Sequence, residues 1–582
     1  GLGDVYKRQG LGDHKKFRLQ VLDSHFLAQE LLPLLPDKIR RTLAPISLSG
    51  PIDLKGSLDG LREEEKWRLN CDLQSFFRKN HITYRMGHIR VDSKVSGSIG
   101  AKGRFPDVDI NAKIQGNRTM VSGVGFQPEP FNVGLSLSGK HPVYQINDVS
   151  VKIPRAKWRV GKKDILVEHL QVQTRKGRVD GQEKRLFVPE IQLDSSLLKN
   201  IFIALELDRE KLSLGLQGKD TRLMESLLAL ELFPPGWQII GKDSLQLNAV
   251  LNERGDWAFT SELGLQDLRF QNQDASSMGE NISLHMKVDG KLNVQNSRIV
   301  GKADLKMDKG EVLYDRFYLD LKRSAFLSSM EGEYVRPQKS LKLSRLRCQL
   351  KDILNFEMNG TVHFRARGPR LHLSVNVPKT PLKPLFHHFV LEPFKAERPS
   401  LALLKLGGTI AGSLNFTGTA SRWMAKGRCQ WQTGELSSTE GVFSFSDIDL
   451  DLPIWVHSSP PSQNLDVKRK KLGGRLFIGS FGLRPLPVQS LSLPLEASPD
   501  RLSVTSSTFI KVPGGKIELG PVMGKDLYRS QRSLKTSLSL DAFKLDPLLA
   551  DIWNRPMTGT LEGRLDPVHF EGNALHTEGN LM

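Results

Sequence analysis

Cysteine is nearly missing from this chain of 582 residues: Cys71, Cys348 and Cys429 stand alone, far apart in sequence. Such spacing fits neither a zinc site nor a disulfide framework. It leaves two readings, three half-buried free thiols or one long-range disulfide with a spare thiol, and neither identifies a redox compartment. Tyrosine and tryptophan are also scarce, at 7 and 8 residues, which argues against the aromatic girdles of a lipid-embedded barrel. No apolar run reaches the ~18 residues needed to cross a bilayer, and no charged start with an apolar middle marks a secretory signal. The phosphate-cradling GxxxxGK[ST] loop, the GxSxG elbow, HExxH and CxxC are all absent. The sequence therefore predicts no enzyme, no catalytic residue and no cofactor.

Few other candidates for chemistry remain. The glycines of Gly97–Gly103 and of Leu406-Gly407-Gly408-Thr409 lie inside alternating segments rather than at a strand-to-helix turn, and read as β-turn or bulge positions. His387 and His388 are adjacent in an expected helix, where neighbours point in different directions and one metal ion would not reach both. Asp447, Asp449 and Asp451 alternate with Ile448, Leu450 and Leu452; without a glycine-bent loop they read as a solvated strand face rather than a calcium site. No metal is predicted. Asn117-Arg118-Thr119, Asn281-Ile282-Ser283 and Asn415-Phe416-Thr417 fit the glycosylation pattern, a match common by chance. Lys and Arg number 83 against 64 Asp and Glu, a net charge of +19 that favours anionic neighbours such as phospholipid headgroups. The cations are scattered apart from Lys468-Arg469-Lys470-Lys471, read as a solvated loop. They do not interleave with aromatics, so nucleic acid is not an expected partner.

What the chain does contain is period-two alternation, which returns after nearly every turn. Ile282, Leu284, Met286 and Val288 alternate with Ser283, His285 and Lys287, and the same parity marks Phe317, Leu319 and Leu321. It recurs at Leu245 to Leu251, at Trp257 to Leu265, at Ile410, Leu414 and Phe416, and at Leu491, Leu493 and Leu495. Asn252-Glu253-Arg254-Gly255, Asp289-Gly290, Asp308-Lys309-Gly310, Asn359-Gly360 and Pro513-Gly514-Gly515 read as turns joining antiparallel strands. A shift of parity from Leu265 to Leu268 and Phe270 predicts a β-bulge. Helices are expected near Ser24–Leu43, Arg222–Phe233, Pro381–Leu391 and Asp541–Trp553, each able to cap a groove or divide it. With about 12 residues for each strand and its turn, roughly 45 strands are expected. The predicted fold is mostly β: a long twisted antiparallel sheet curled into an elongated apolar groove, with few short helices.

An apolar sheet face must be covered by another sheet, by helices or by something that is not protein. Helices are too few here, and no regular linkers cut the chain into sandwich modules. A curled sheet sheltering acyl chains is the expectation, lined by the thirteen alternating residues Ile282, Leu284, Met286, Val288, Phe317, Leu319, Leu321, Ile410, Leu414, Phe416, Leu491, Leu493 and Leu495. The alternative is a structural or adhesin-like β-solenoid or stacked β-sandwich at a cell surface.

Several segments resemble a known family. Leu31–Leu35, Leu43-Ala44-Pro45 and Gly50–Gly56 are similar to the start of the repetitive region in AsmA-like proteins. So are Leu404–Leu414, Gly434-Glu435-Leu436 and Ile448–Pro453, while Phe543–Leu549 with Gly559–Leu565 resembles the YdbH-like branch, also called the dicarboxylate transport domain. The resemblance implies a periplasmic β-groove anchored to the inner membrane by an N-terminal helix absent from this fragment. Phospholipids, carried towards the outer membrane, would be the cargo, and components of both membranes the partners. On this reading residues 1–13 are a non-native or disordered start, 14–45 a helical lead-in, and 46–582 the groove region, truncated at its C-terminal end.

Overall fold

The structure is a computed structural model describing residues 16–28, 46–63, 66–86, 89–122, 126–160, 163–208, 211–229, 233, 236–365, 368–419, 421–458, 471–483, 486–488, 490–499, 501–512, 515–525, 527, 532–544, 559–571 and 574–581. It is mostly β: the described strands form one antiparallel sheet of 36, interrupted by a few short helices. The chain forms two compact units, residues 1–273 with 291–294 and residues 274–290 with 295–582. Within each, strands pair mainly with their sequence neighbours, as alternation punctuated by short turns dictates.

The strands are fewer and longer than 12-residue units allow; Lys66–Met86 runs for 21 residues. Part of the difference lies in three expected turns that are strand interior. Asp289-Gly290 falls within Ser277–Asn293, Asp308-Lys309-Gly310 within Arg298–Tyr314, and Asn359-Gly360 within Leu354–His363. At Asn359-Gly360 hydrogen bonding to a strand on each side outweighs local turn propensity, and the glycine serves a kink instead. Gly360, at φ +144°, is the clearest case: a Cβ would land on the carbonyl oxygen of His372 in the next strand. The turn at Asn252–Gly255 forms as expected, with Gly255 N–H donating to the Asn252 carbonyl at 3.0 Å. Val512 pairs with Gly515, consistent with the turn expected at Pro513-Gly514-Gly515, although Pro513 and Gly514 lie outside the described residues.

The predicted bulge is present. Between Ile240↔Arg269 and Lys242↔Gln266 the ladder skips, Asp267 and Leu268 facing the single residue Gly241, with Asp267 at φ +51°. Such skips recur, for example at Phe77/Asn80, Val377/Thr380 and Gly407/Thr409, and each strengthens the local twist. In the second unit the sheet curls tightly. Strands Phe443–His457 and Leu491–Ser498 approach within 8 Å across Leu472–Leu483, where a flat sheet holds next-but-one strands about 9.6 Å apart.

The helical expectations divide. Leu223–Ala229 forms an α-helix, and Leu382–Phe386, His387–Leu391 and Glu392–Phe394 form a continuous helical segment of α, π and α turns. The lead-in is corrected: Lys16–Leu27 is a strand paired with Pro51–Glu63, because its own alternation around Leu19, Val21 and Phe26 finds a ladder. Residues 29–45 lie outside the described residues, as do 1–13 and 545–553, while Asp541–Lys544 ends a strand. No described helix is long and apolar enough to cross a membrane.

Candidate functional site

Residues directly opposite each other in an antiparallel ladder share a face, so chains of partners show what each face carries. In the first unit one such row passes through Phe26, Ile52, Phe77, Gly97, Ile114, Val133 and Val151, and continues through Val172, Leu193, Ile201, Gly218, Leu245 and Leu263. Every member is apolar or glycine. The adjacent row, on the other face, carries Ser98, Lys113, Gly134, Ser150, Gln173 and Gln192, then Phe202, Gln217, Gln246 and Glu262. The second unit repeats the arrangement. Ala303, Met330, Leu346, Met358, Val375, Leu414, Gly427 and Ile454 form an apolar row beside the polar row Asp304, Ser329, Arg347, Glu357, Asn376, Ser413 and Arg428.

The polar face is laced by ion pairs. Arg347 and Arg345 donate to Glu357 at 2.6 and 3.1 Å, and together hold its carboxyl below the usual range. Arg159 and Lys157 do the same for Asp164, at 2.7 and 2.8 Å. These exposed pairs contribute little stability each, and their value is to keep this face wet.

On the apolar face the candidate lining residues separate into two groups. Leu284, Met286, Val288, Ile410, Leu414 and Phe416 are half-buried, and Ile410 and Phe416 share the face of Leu414 and its apolar row. Ile410 lies in a row with Trp431, Leu450, Leu476 and Leu493. Phe416 stacks on Trp423 with ring centroids 5.6 Å apart. By contrast Ile282 is 0% exposed and Leu321 1%. Leu491, Leu493 and Leu495 are sealed as well, in a cluster with Ile448, Ile478, Phe481 and Val504 that the curl of the sheet closes. Leu321 also leaves the expected strand, which ends at Asp320; it enters a turn, its N–H donating to the Gly310 carbonyl at 3.0 Å.

Phe317 and Leu319 meet another element. Leu319 pairs with Val312, while the Phe317 ring lies 6.4 Å from both Phe389 and Phe394 of the helical segment. Arg316 stacks over Phe394 at 4.9 Å and donates to Glu397 at 2.9 Å. This helical segment leaves the sheet after strand Arg370–Pro381 and touches both Phe317–Asp320 and Leu404–Gly418. In the first unit helix Leu223–Ala229 packs on strand Gln238–Leu251. Asp243 of that strand, 3% exposed, accepts hydrogen bonds from Thr221 N–H and Oγ1 at 2.6 Å and from Leu223 N–H at 2.8 Å. Asp243 and Asn80 are polar side chains on the apolar face that alternation alone does not single out. Asp243 pairs with Leu265, and Asn80 with Val95.

The other candidates are placed as follows. The rings of His387 and His388 sit 5.2 Å apart, and burial, then the neighbouring His387, lowers the His388 pKa. Asp451 pairs with Arg428 at 2.6 Å, Asp449 accepts from Thr433 N–H at 3.3 Å, and Asp447 occupies a positive φ of 53°. Among the described residues no group of three or more His, Cys, Asp or Glu is arranged around a shared metal position. All three cysteines are free thiols, and burial pushes the Cys429 thiol pKa up. Comparison of the chain with protein-family models, with curated proteins and with solved structures finds no match.

Proposed function

We propose that this protein is a non-enzymatic lipid carrier, whose apolar sheet face shelters phospholipid acyl chains while the polar face meets water. The observation that carries this reading is the unbroken apolar row, half-buried or exposed, that crosses the strands from Arg298–Tyr314 to Phe443–His457 beside a mainly polar row on the other face. A contiguous apolar surface of this extent on a folded chain needs an occupant. Acyl chains suit it because the rows offer no regularly placed hydrogen-bonding groups, only side chains able to pack against methylene. The resemblance to AsmA-like proteins adds the setting: the periplasm, between inner and outer membranes, in support of outer-membrane lipid homeostasis.

The experiment is purification without detergent followed by mass spectrometry of co-purifying lipids against a mock preparation. Several phospholipid molecules per chain are expected. Photo-crosslinkable lipid should label Leu414 or Phe416, which line the open face, and not Lys405 or Asn415 on the opposite one. A folded, lipid-free protein, or labelling confined to Lys405 and Asn415, overturns the proposal in favour of a scaffold or adhesion role.

A further inference from the structure

Late in the second unit the ladder opens at a fork. Strand Arg501–Val504 pairs with Val522–Lys525 as far as Val504↔Val522. There the hairpin of Thr508–Val512 and Gly515–Leu519 departs and pairs farther along strand Ser533–Lys544. That strand therefore has two partners on one side, Val522–Lys525 at Ser533–Lys535 and Gly515–Leu519 at Leu538–Asp541. At the fork lies a cavity of about 650 Å³.

The cavity draws its walls from both faces of the sheet. Val504 lies at the edge of the buried apolar cluster and Val522, half-buried, packs against it from the cavity side, whereas Glu496, Ser503, Met523 and Lys535 follow one another in a row on the polar face. Four cations reach it. Lys471 is neutralised by Glu496 at 2.8 Å and Arg564 by Asp566 at 2.6 Å. Arg501 and Lys535 have no carboxylate partner among the described residues, and the hydroxyls of Ser498 and Thr505 stand in the same wall. An opening with two cations outside that no described carboxylate pairs, and apolar side chains within, suits a ligand that is anionic at one end and apolar at the other.

We propose that this fork is a lateral portal with a phosphate site: Arg501 and Lys535 hold the phosphate of a phospholipid whose acyl chains pass Val504 and Val522 onto the apolar face. The portal rests on the lipid-carrying reading, but the phosphate site does not, since free phosphate offers the same chemistry. The test compares the full chain with Arg501→Ala/Lys535→Ala, and with Lys342→Ala/Lys405→Ala as a charge-matched control, after thermal melts show all three folded. Uptake of fluorescent phosphatidylglycerol and of fluorescent diacylglycerol from phosphatidylcholine vesicles is followed in parallel, and orthophosphate alone is titrated by calorimetry.

The expected result is phosphatidylglycerol uptake slowed at least tenfold in the portal variant only, since two charged hydrogen bonds are lost and one alone is worth about tenfold, with diacylglycerol unaffected. Orthophosphate binding that the portal variant loses, with lipid uptake unchanged, keeps the phosphate site and overturns the portal. No difference between portal variant and control in either measurement overturns both. If neither lipid enters the unaltered protein, the lipid-carrying reading and the portal fail together, and the orthophosphate titration alone decides the site.

Discussion

At the scale of single residues, two of the polar side chains on the apolar face have opposite consequences. Asp243 is a carboxylate on an apolar row, tolerable because three donors from Thr221 and Leu223 converge on it and pin the start of helix Leu223–Ala229. Asp243→Ala leaves those donors unpaired, so a loss of about 2–3 kcal/mol is expected in denaturant unfolding, with that helix the first to lose protection in hydrogen exchange. Asn80 is the reverse case: it is 0% exposed and neither its amide nitrogen nor its oxygen has a partner. Asn80→Leu, close in volume, removes that penalty. The melt should show no loss and a gain of about 1 kcal/mol, whereas a clear destabilisation would mean the amide is satisfied in solution. Neither role was legible beforehand, because Lys242-Asp243-Ser244 and Lys79-Asn80-His81 read locally as ordinary polar positions. Their burial depends on what packs over them.

At the scale of elements, the helical segment 382–394 packs by its first turns on strand Leu404–Gly418, and its later turns are held by the Phe317, Phe389 and Phe394 rings and by Arg316 between Phe394 and Glu397. Phe317→Ala should raise hydrogen exchange throughout 382–394 and leave the strand Leu404–Gly418 protected; equal protection in both proteins would show that the rings do not anchor it. The same segment should respond to pH. His388 resists protonation when folded, so as pH falls through the ordinary histidine value of about 6.5 the unfolded form takes up a proton more readily. Stability contributed there is present above that pH and lost below it, which exchange rates of 382–394 at pH 7.5 and 5.5 would reveal. Among the strands, Gly360→Ala must move either its own φ of +144° or the His372 carbonyl. A cost of about 2 kcal/mol is expected, against a negligible one at Gly473, where an added Cβ meets nothing.

At the scale of the whole molecule, pairing between sequence neighbours makes stability a sum of nearest-neighbour terms rather than one cooperative quantity. Val375→Pro removes an amide from a strand paired on both sides, between Met358 and Leu414. Exchange should accelerate around strands 354–363, 370–381 and 404–418, with strands 51–63 and 66–86 unchanged; uniform loss across the chain would show a single cooperative fold. The net charge of +19 adds a second expectation. Binding to vesicles containing phosphatidylglycerol should weaken as salt rises, since exposed cations are screened within about 10 Å at 0.1 M.

Alternation by itself determined the β class, the division into a wet and an apolar face, and the bulge at Leu265–Leu268, because period-two patterning leaves no other regular structure in which such faces separate. It also located two of the helical interruptions, where proline or helical spacing breaks the alternation. Only the tertiary structure decided that Asp289-Gly290 lies inside a strand and that Asn359-Gly360 is a kink and not a turn, since partners on both sides of the latter outweigh a two-residue preference. Tertiary structure likewise decided which apolar residues remain available. Leu414 and Leu493 look alike in sequence, yet one stays half-buried on an open row and the other is sealed where the sheet curls over it. Parity assigns a side chain to a face, but whether that face stays open depends on which distant strand or helix returns to cover it.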